Sequence, residues 1–190
     1  MSHLDRMRYF DRLFRRAGLP VAMSEGFNPR PKFSMALALA VAQESRGELL
    51  EADFEQFVRP AEVLRAVEPF LLDGLRFVSA SMVSPSAHAI VSDVLYEIYF
   101  RQAVGVLNLD AILNATSIPL SLKRKGQMRS KEVRPFIRHL EFDGVCLKAQ
   151  LKVTEQGTLK VSELLSLLGL DLAPEAYLAR RRLEVRETGN

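Results

Sequence analysis

Residues 84–100 read SPSAHAIVSDVLYEIYF, and the change of texture inside that stretch decides how the chain divides. Its opening is built from Ser, Pro and Ala, the composition of a connector. Its close, LYEIYF, alternates large apolar side chains with polar or smaller positions, the pattern of a half-buried β-strand. A strand restarting the pattern here predicts a first module over residues 1–84, a linker over 85–93 and a second module over 94–190.

Downstream, the helical spacing of NLDAILNATS follows the strand, and IPLSLKRKG and VRPFIRHLEF read as strands or a long hairpin. VCLKAQLKV is a further strand, KVSELLSLLGL a helix and YLARRRLEVRE a final strand, an ordinary solvated one by its mixed charges. Upstream, Ser2 and Asp5 form a near capping box that opens a helix ending at Gly18-Leu19-Pro20. Leu4, Met7, Phe10, Leu13, Phe14 and Ala17 recur at helical spacing as its buried stripe. LPVAMS, FSMALALAVA, ELLEADFEQFV and GLRFVSASMV read as strands, and PAEVLRAVEPFLL as a helix with Pro60 at its first turn. The two halves therefore share an order, except that the first begins at its helix. This predicts an α+β fold of two tandem ferredoxin-like (split βαβ) modules with antiparallel sheets, the first lacking its opening strand. Its open edge would admit a second copy as a homodimer, or a strand from a partner.

Charge is unevenly distributed. Of 190 residues, 48% are hydrophobic, enough for a core, and the net charge of +3 conceals two basic segments. Residues 1–40 carry 7 cations against 3 acids, and residues 121–140 carry 7 against 1. One cysteine, Cys146, excludes a disulfide framework, a cysteine-rich zinc site and a self-contained iron–sulfur site within one chain. It alternates with Val145 and Leu147 in an apolar strand and reads as a buried thiol. No apolar run reaches the roughly 18 residues that span a bilayer, so a cytoplasmic protein without membrane association is expected.

SHLDRMRYFDRLFRRAGLP, SEGFNPRPKFSMALAL, ESRGELLEADFE and LKRKGQMRSKEVRPFI together resemble the radical-SAM-linked family, a domain of unknown function. The resemblance covers nearly the whole chain. Its members are fused behind a radical-SAM domain or are separate proteins expected to work beside one. It implies a radical-SAM enzyme as partner in trans, with the iron–sulfur cluster and S-adenosylmethionine held there and no cofactor here. Members usually carry a glycine near Ala42, and a strand before the Ser-His-Leu-Asp motif.

The basic segments point to structured RNA as the second partner. Arg8, Arg12 and Arg15 lie on one helix face with Arg16 beside them. Pro29 and Pro31 bias Asn28 and Arg30 toward extended backbone, so the loop presents Arg30 and Lys32 at fixed positions. Guanidinium groups suit phosphate oxygens. Phe27 and Phe33 flank these cations as stacking faces for unpaired bases, or else belong to the core. KRKGQMRSK adds Lys123, Arg124, Lys125, Arg129 and Lys131 on a flexible loop, with Arg134 following, as a clamp on a polyanion or as a charged tip that blocks edge pairing. The alternative to RNA contact is a solvated helix face paired with Asp5, Asp11 and Glu25.

The expectation is an accessory RNA-binding module acting with a radical-SAM enzyme in tRNA or rRNA modification. A protein–protein adaptor taking a strand from that enzyme is one alternative. The other is an RNA-modifying or RNA-cleaving enzyme using His3 and Asp5. No second carboxylate, nucleophile–base pair or metal-ligand spacing accompanies that pair, so no catalysis by this chain and no metal site are expected. His88 and His139 read as structural.

Overall fold

A computed structural model describes residues 1–83, 90–124 and 127–186. His88, Lys125 and most of the expected linker lie outside the described residues, as do the side chains of Lys123, Arg124 and Arg129. In chain order the elements are α1 (His3–Arg16), β1 (Phe33–Met35), β2 (Gln43–Gly47), β3 (Leu50–Ala52), α2 (Pro60–Val67), β4 (Ile90–Phe100), α3 (Leu109–Leu113), β5 (Pro119–Arg124), β6 (Gln127–Glu132), β7 (Ile137–Phe142), β8 (Cys146–Lys152), α4 (Val161–Leu167) and β9 (Tyr177–Arg186). The fold is α+β, with antiparallel sheets and one mixed sheet. The described residues divide into two units, one of residues 1–41 and 49–83, the other of residues 42–48 and 90–186.

In the first unit, α1 is set by its sequence. Ser2 Oγ accepts from the Asp5 amide at 3.2 Å while Asp5 Oδ2 accepts from the Ser2 amide at 3.2 Å, closing the capping box. Phe10, Leu13 and Phe14 point inward and, with Val67 of α2, anchor a core joined by Phe33, Met35, Leu50, Leu75 and Phe77. Leu4, expected in this stripe, is 58% exposed, because it stands on the first turn beyond that core. Tyr9 locks the chain after α2 to α1: its hydroxyl donates to Phe70 O and accepts from Leu72 N. The sheet here is smaller than expected. β1 pairs antiparallel with β3, and Val21 and Met23 contribute only isolated bridges, to Phe54 and Pro31. Residues 36–41 and 76–83, read as strand, have no ladder. Alanine, which supplies half of residues 36–41, has low strand propensity. In the second segment Phe77 packs on the core while Val78 is exposed, an alternation that needs no pairing.

The second unit is a five-stranded sheet in the order β2-β9-β4-β8-β7, antiparallel throughout except for the parallel pair β2–β9. Along β4, Val94, Tyr96 and Ile98 are buried and Leu95, Glu97 and Tyr99 are half-exposed, so the sheet has one core face and one open face. Ile112 of α3 and Val161, Leu164 and Leu165 of α4 complete the core. β4 begins at Ile90, inside the stretch expected as linker. Its Asp93 is 3% exposed and ion-paired with Arg138 of β7, a partner that makes a charge tolerable in a strand.

β2 is the largest departure from expectation. Its sequence, QESRG, has no apolar side chain, yet it forms the sheet edge, with Gln43 opposite Ala179 and Ser45 opposite Arg181. Arg181, in the strand expected to be solvated, is 3% exposed. It makes a bidentate pair with Glu48, Nε to Oε1 at 2.7 Å and Nη2 to Oε2 at 2.6 Å, while Ser45 Oγ donates to Glu48 Oε1 at 2.5 Å. Tyr96 joins the same network. Immediately before β2, Ala42 has φ 63°, the left-handed region that glycine occupies without strain.

Candidate nucleic-acid interface

The first unit carries one group of expected contacts. Arg8, Arg12, Arg15 and Arg16 are all exposed on α1. Of the acids expected to neutralise them, Asp11 alone forms an ion pair among the described residues, with Arg15 Nε at 2.7 Å. Arg16 sits 4.9 Å above the Phe70 ring. Arg8 and Arg12 form no ion pair among the described residues, and Arg8 acts on Asp5 only through its field.

Asp5 is occupied by the helix cap. Donation from the Ser2 hydroxyl, then from the Ser2 amide, holds its carboxyl below the ordinary 3.8. A carboxylate so stabilised is a poor proton acceptor, which counts against a His3–Asp5 acid–base pair. Because the folded value is depressed, the cap's contribution is present above the unfolded value and lost as pH falls through the folded one. Ser2→Ala should cost about 1 kcal/mol of stability at neutral pH. Asp5→Asn should flatten the acid limb of a plot of thermal midpoint against pH, and an unchanged limb would show that the cap carries no such linkage.

The loop after α1 is latched at its base. The Ser24 amide donates to Arg30 O at 2.7 Å and the Arg30 amide donates to Ser24 Oγ at 2.9 Å. Lys32 is held on both sides by backbone bonds, its amide to Ala22 O at 2.7 Å and its carbonyl from the Asp53 amide at 2.9 Å. Gly26 has φ 114°, which turns the tip in a way closed to other residues. The tip presents Phe27, Asn28 and Arg30 to solvent, and Phe27 is 106% exposed. The two phenylalanines left open by the sequence thus separate: Phe33 packs edge-on against Phe14 at 5.4 Å, and Phe27 touches no core.

The second basic segment lies in the second unit and differs from the expected flexible loop. Lys123 and Arg124 end β5, and Arg129 and Lys131 lie in β6, with Lys123 opposite Met128 and Leu122 opposite Arg129 in an antiparallel hairpin. Lys131 is engaged structurally. Its Nζ donates to Thr158 O at 3.0 Å and to Glu163 Oε2 at 3.1 Å, above the Phe136 ring. Arg134, expected to contact RNA, is likewise a clamp: Nε donates to Ala115 O at 3.0 Å, Nη1 to Ile137 O at 2.7 Å and Nη2 to Leu113 O at 2.8 Å. Three of the five N–H donors of Arg134 and two of the three of Lys131 are thus committed to structural partners.

His139 is exposed on β7. Cys146 is buried, and burial pushes its thiol above the usual range, leaving it a weak nucleophile. Among the described residues no group of His, Cys, Asp and Glu is arranged to hold a metal ion, and no helix is long and apolar enough to cross a membrane.

Residues 1–162 match the family described as an uncharacterized protein conserved in bacteria (DUF2344). The chain belongs to that family. No curated protein and no solved structure matches it. The part shared with the DUF2344 family holds the α1 arginines, the latched loop and the β5–β6 hairpin, whereas β9 with Arg181 lies beyond the match.

Proposed function

We propose that this chain is an accessory RNA-binding module that presents structured RNA, a tRNA or rRNA, to a radical-SAM enzyme acting in trans in the cytoplasm. The iron–sulfur cluster and S-adenosylmethionine belong to that partner. The observation that carries the reading is Phe27, an aromatic ring held wholly in solvent on a latched loop beside Asn28, Arg30 and Lys32. A solvated ring on a rigid base gains little for folding and is suited to stacking on an unpaired base. Arg8 and Arg12, which form no ion pair among the described residues, supply phosphate contacts from the same unit, and the second basic segment a further set through Lys123, Arg124, Lys125 and Arg129. With the β5–β6 hairpin inserted after α3 and β2 added at the edge, the second unit runs β4-α3-β7-β8-α4-β9 with β9-β4-β8-β7 across the sheet, which supports a split-βαβ module. We extend that reading to a tandem pair, with the first unit its abbreviated copy.

The test is fluorescence anisotropy with a structured tRNA across a salt series. Phe27→Ala should weaken binding by about 1–3 kcal/mol, at least fivefold. Arg12→Glu with Arg30→Glu should reduce the log–log salt slope by about two. Absence of binding, or variants indistinguishable from the wild type, overturns the reading and leaves the adaptor role, for which the two-stranded β1–β3 sheet is the supporting feature.

A further inference from the structure

The open face of the second unit's sheet holds a cluster of cations unrelated to the basic segments above. A cleft of about 170 Å³ is lined by Arg46, Leu95, Glu97, Arg180, Arg181 and Arg182. Arg181 is engaged by Glu48, and of the other three guanidinium groups in the lining Arg46 reaches Glu97 and Arg180 pairs with Glu44. We propose that Arg46, Arg180 and Arg182 form an oxyanion site that binds a phosphate group.

Three features build this site. Arg180 and Arg182 stand two residues apart on β9, so the strand period sends both side chains to the open face, about 7 Å apart. Arg46 reaches the same place through a bulge: Ser45 pairs with Arg181 and Gly47 with Arg182, which makes Arg46 the extra residue of β2. Bulges re-aim side chains in this way. Gly47 supplies the space. A Cβ there would stand 3.1 Å from Arg182 Cγ, so the Arg182 stem lies close against Gly47 and would have to give by a few tenths of an ångström to admit one.

The charges are only partly neutralised. Arg180 is fixed by Glu44 at 3.0 Å and by the Tyr99 ring, 5.8 Å from its guanidinium carbon. Arg46 is 62% exposed and reaches Glu97 only at 3.6 Å, a contact of little strength at that exposure. Arg182 forms no ion pair among the described residues. A tetrahedral oxyanion entering the cleft would take bidentate donation from Arg182 and displace the loose Arg46–Glu97 pair. The volume is below that of a pocket for a whole drug-sized ligand, so the recognised chemistry is the phosphate group itself, from an RNA backbone or from a small phosphorylated ligand. The site lies in a different unit from Phe27 and Arg12, and stands or falls independently of the proposed function.

Arginine Nε–Hε resonances, titrated with inorganic pyrophosphate and separately with a single-stranded 12-nucleotide oligouridylate, test it. Saturable shifts of Arg46, Arg180 and Arg182 are expected with pyrophosphate, retained in an Arg12→Glu, Arg30→Glu variant. Arg182→Gln should weaken them about tenfold. Arg46→Gln, a second exposed substitution with little risk to folding, should weaken them likewise. Oligouridylate shifting the same resonances at lower concentration assigns the phosphate to nucleic acid; pyrophosphate binding that the oligonucleotide does not displace assigns it to a small ligand. The absence of saturable shifts at these arginines with either probe overturns the site.

Discussion

Replacing Glu48 with alanine should lower the unfolding free energy by about 3–5 kcal/mol, the cost of removing one member of a buried ion pair. Arg181 is 3% exposed, and its Nε and Nη2 donate to Glu48 at under 3 Å. Removing the carboxylate also costs the Ser45 hydroxyl its shorter acceptor at the bulge of β2, leaving it the Arg181 carbonyl at 3.1 Å. The expected readout is a urea midpoint well below the wild type with a two-state transition, and loss of amide protection in β2 ahead of β4. The joint change of Glu48→Leu and Arg181→Met should restore most of the stability, because the desolvation cost disappears with the charges. A loss below about 1 kcal/mol in Glu48→Ala would show that Arg181 regains water or another acceptor at little cost.

Arg134→Ala should be nearly as damaging, at about 3 kcal/mol, while leaving the proposed RNA binding unchanged. The substitution strips donors from Leu113 O and Ala115 O at the end of α3 and from Ile137 O at the start of β7. Hydrogen bonds to a charged group contribute about 1.5–3 kcal/mol each, and three that share one side chain add less than their sum. Arg134→Lys should rescue little, since one ammonium cannot reproduce a planar fork aimed at three carbonyls. Thermal melts and anisotropy on the same preparation separate the roles. An unchanged midpoint with weakened RNA binding would return Arg134 to the interface.

These two arginines mark where reading the sequence succeeds and where it fails. α1 is legible because its information is local: the Ser2–Asp5 cap and the 3–4 spacing of Phe10, Leu13 and Phe14 lie within one helix. β4 and β8 are legible because their burial alternates over six or more residues. The basic segments are equally visible, but their uses are not. Arg30 and Lys32 stay in solvent, whereas Lys131 and Arg134, equally charged in composition, are consumed by Glu163 and by backbone carbonyls. β2 has no local signal at all. Its place depends on Arg181, 133 residues from Glu48, and no periodicity encodes such a partner. The same holds for Asp93, whose strand reads as a linker until Arg138 is brought beside it.

The parallel edge strand has a consequence for the order in which the molecule is made. β2 is complete by Gly47, but the strand it pairs with does not begin until Tyr177. A ribosome adding about 5–20 residues per second leaves β2 unpaired for on the order of ten seconds. QESRG is well suited to that wait: it is short, charged and without a large apolar side chain, properties that keep an unsatisfied strand from pairing with a neighbouring nascent chain. Its polarity, which hides it from hydropathy patterns, is what makes late pairing with the last strand safe.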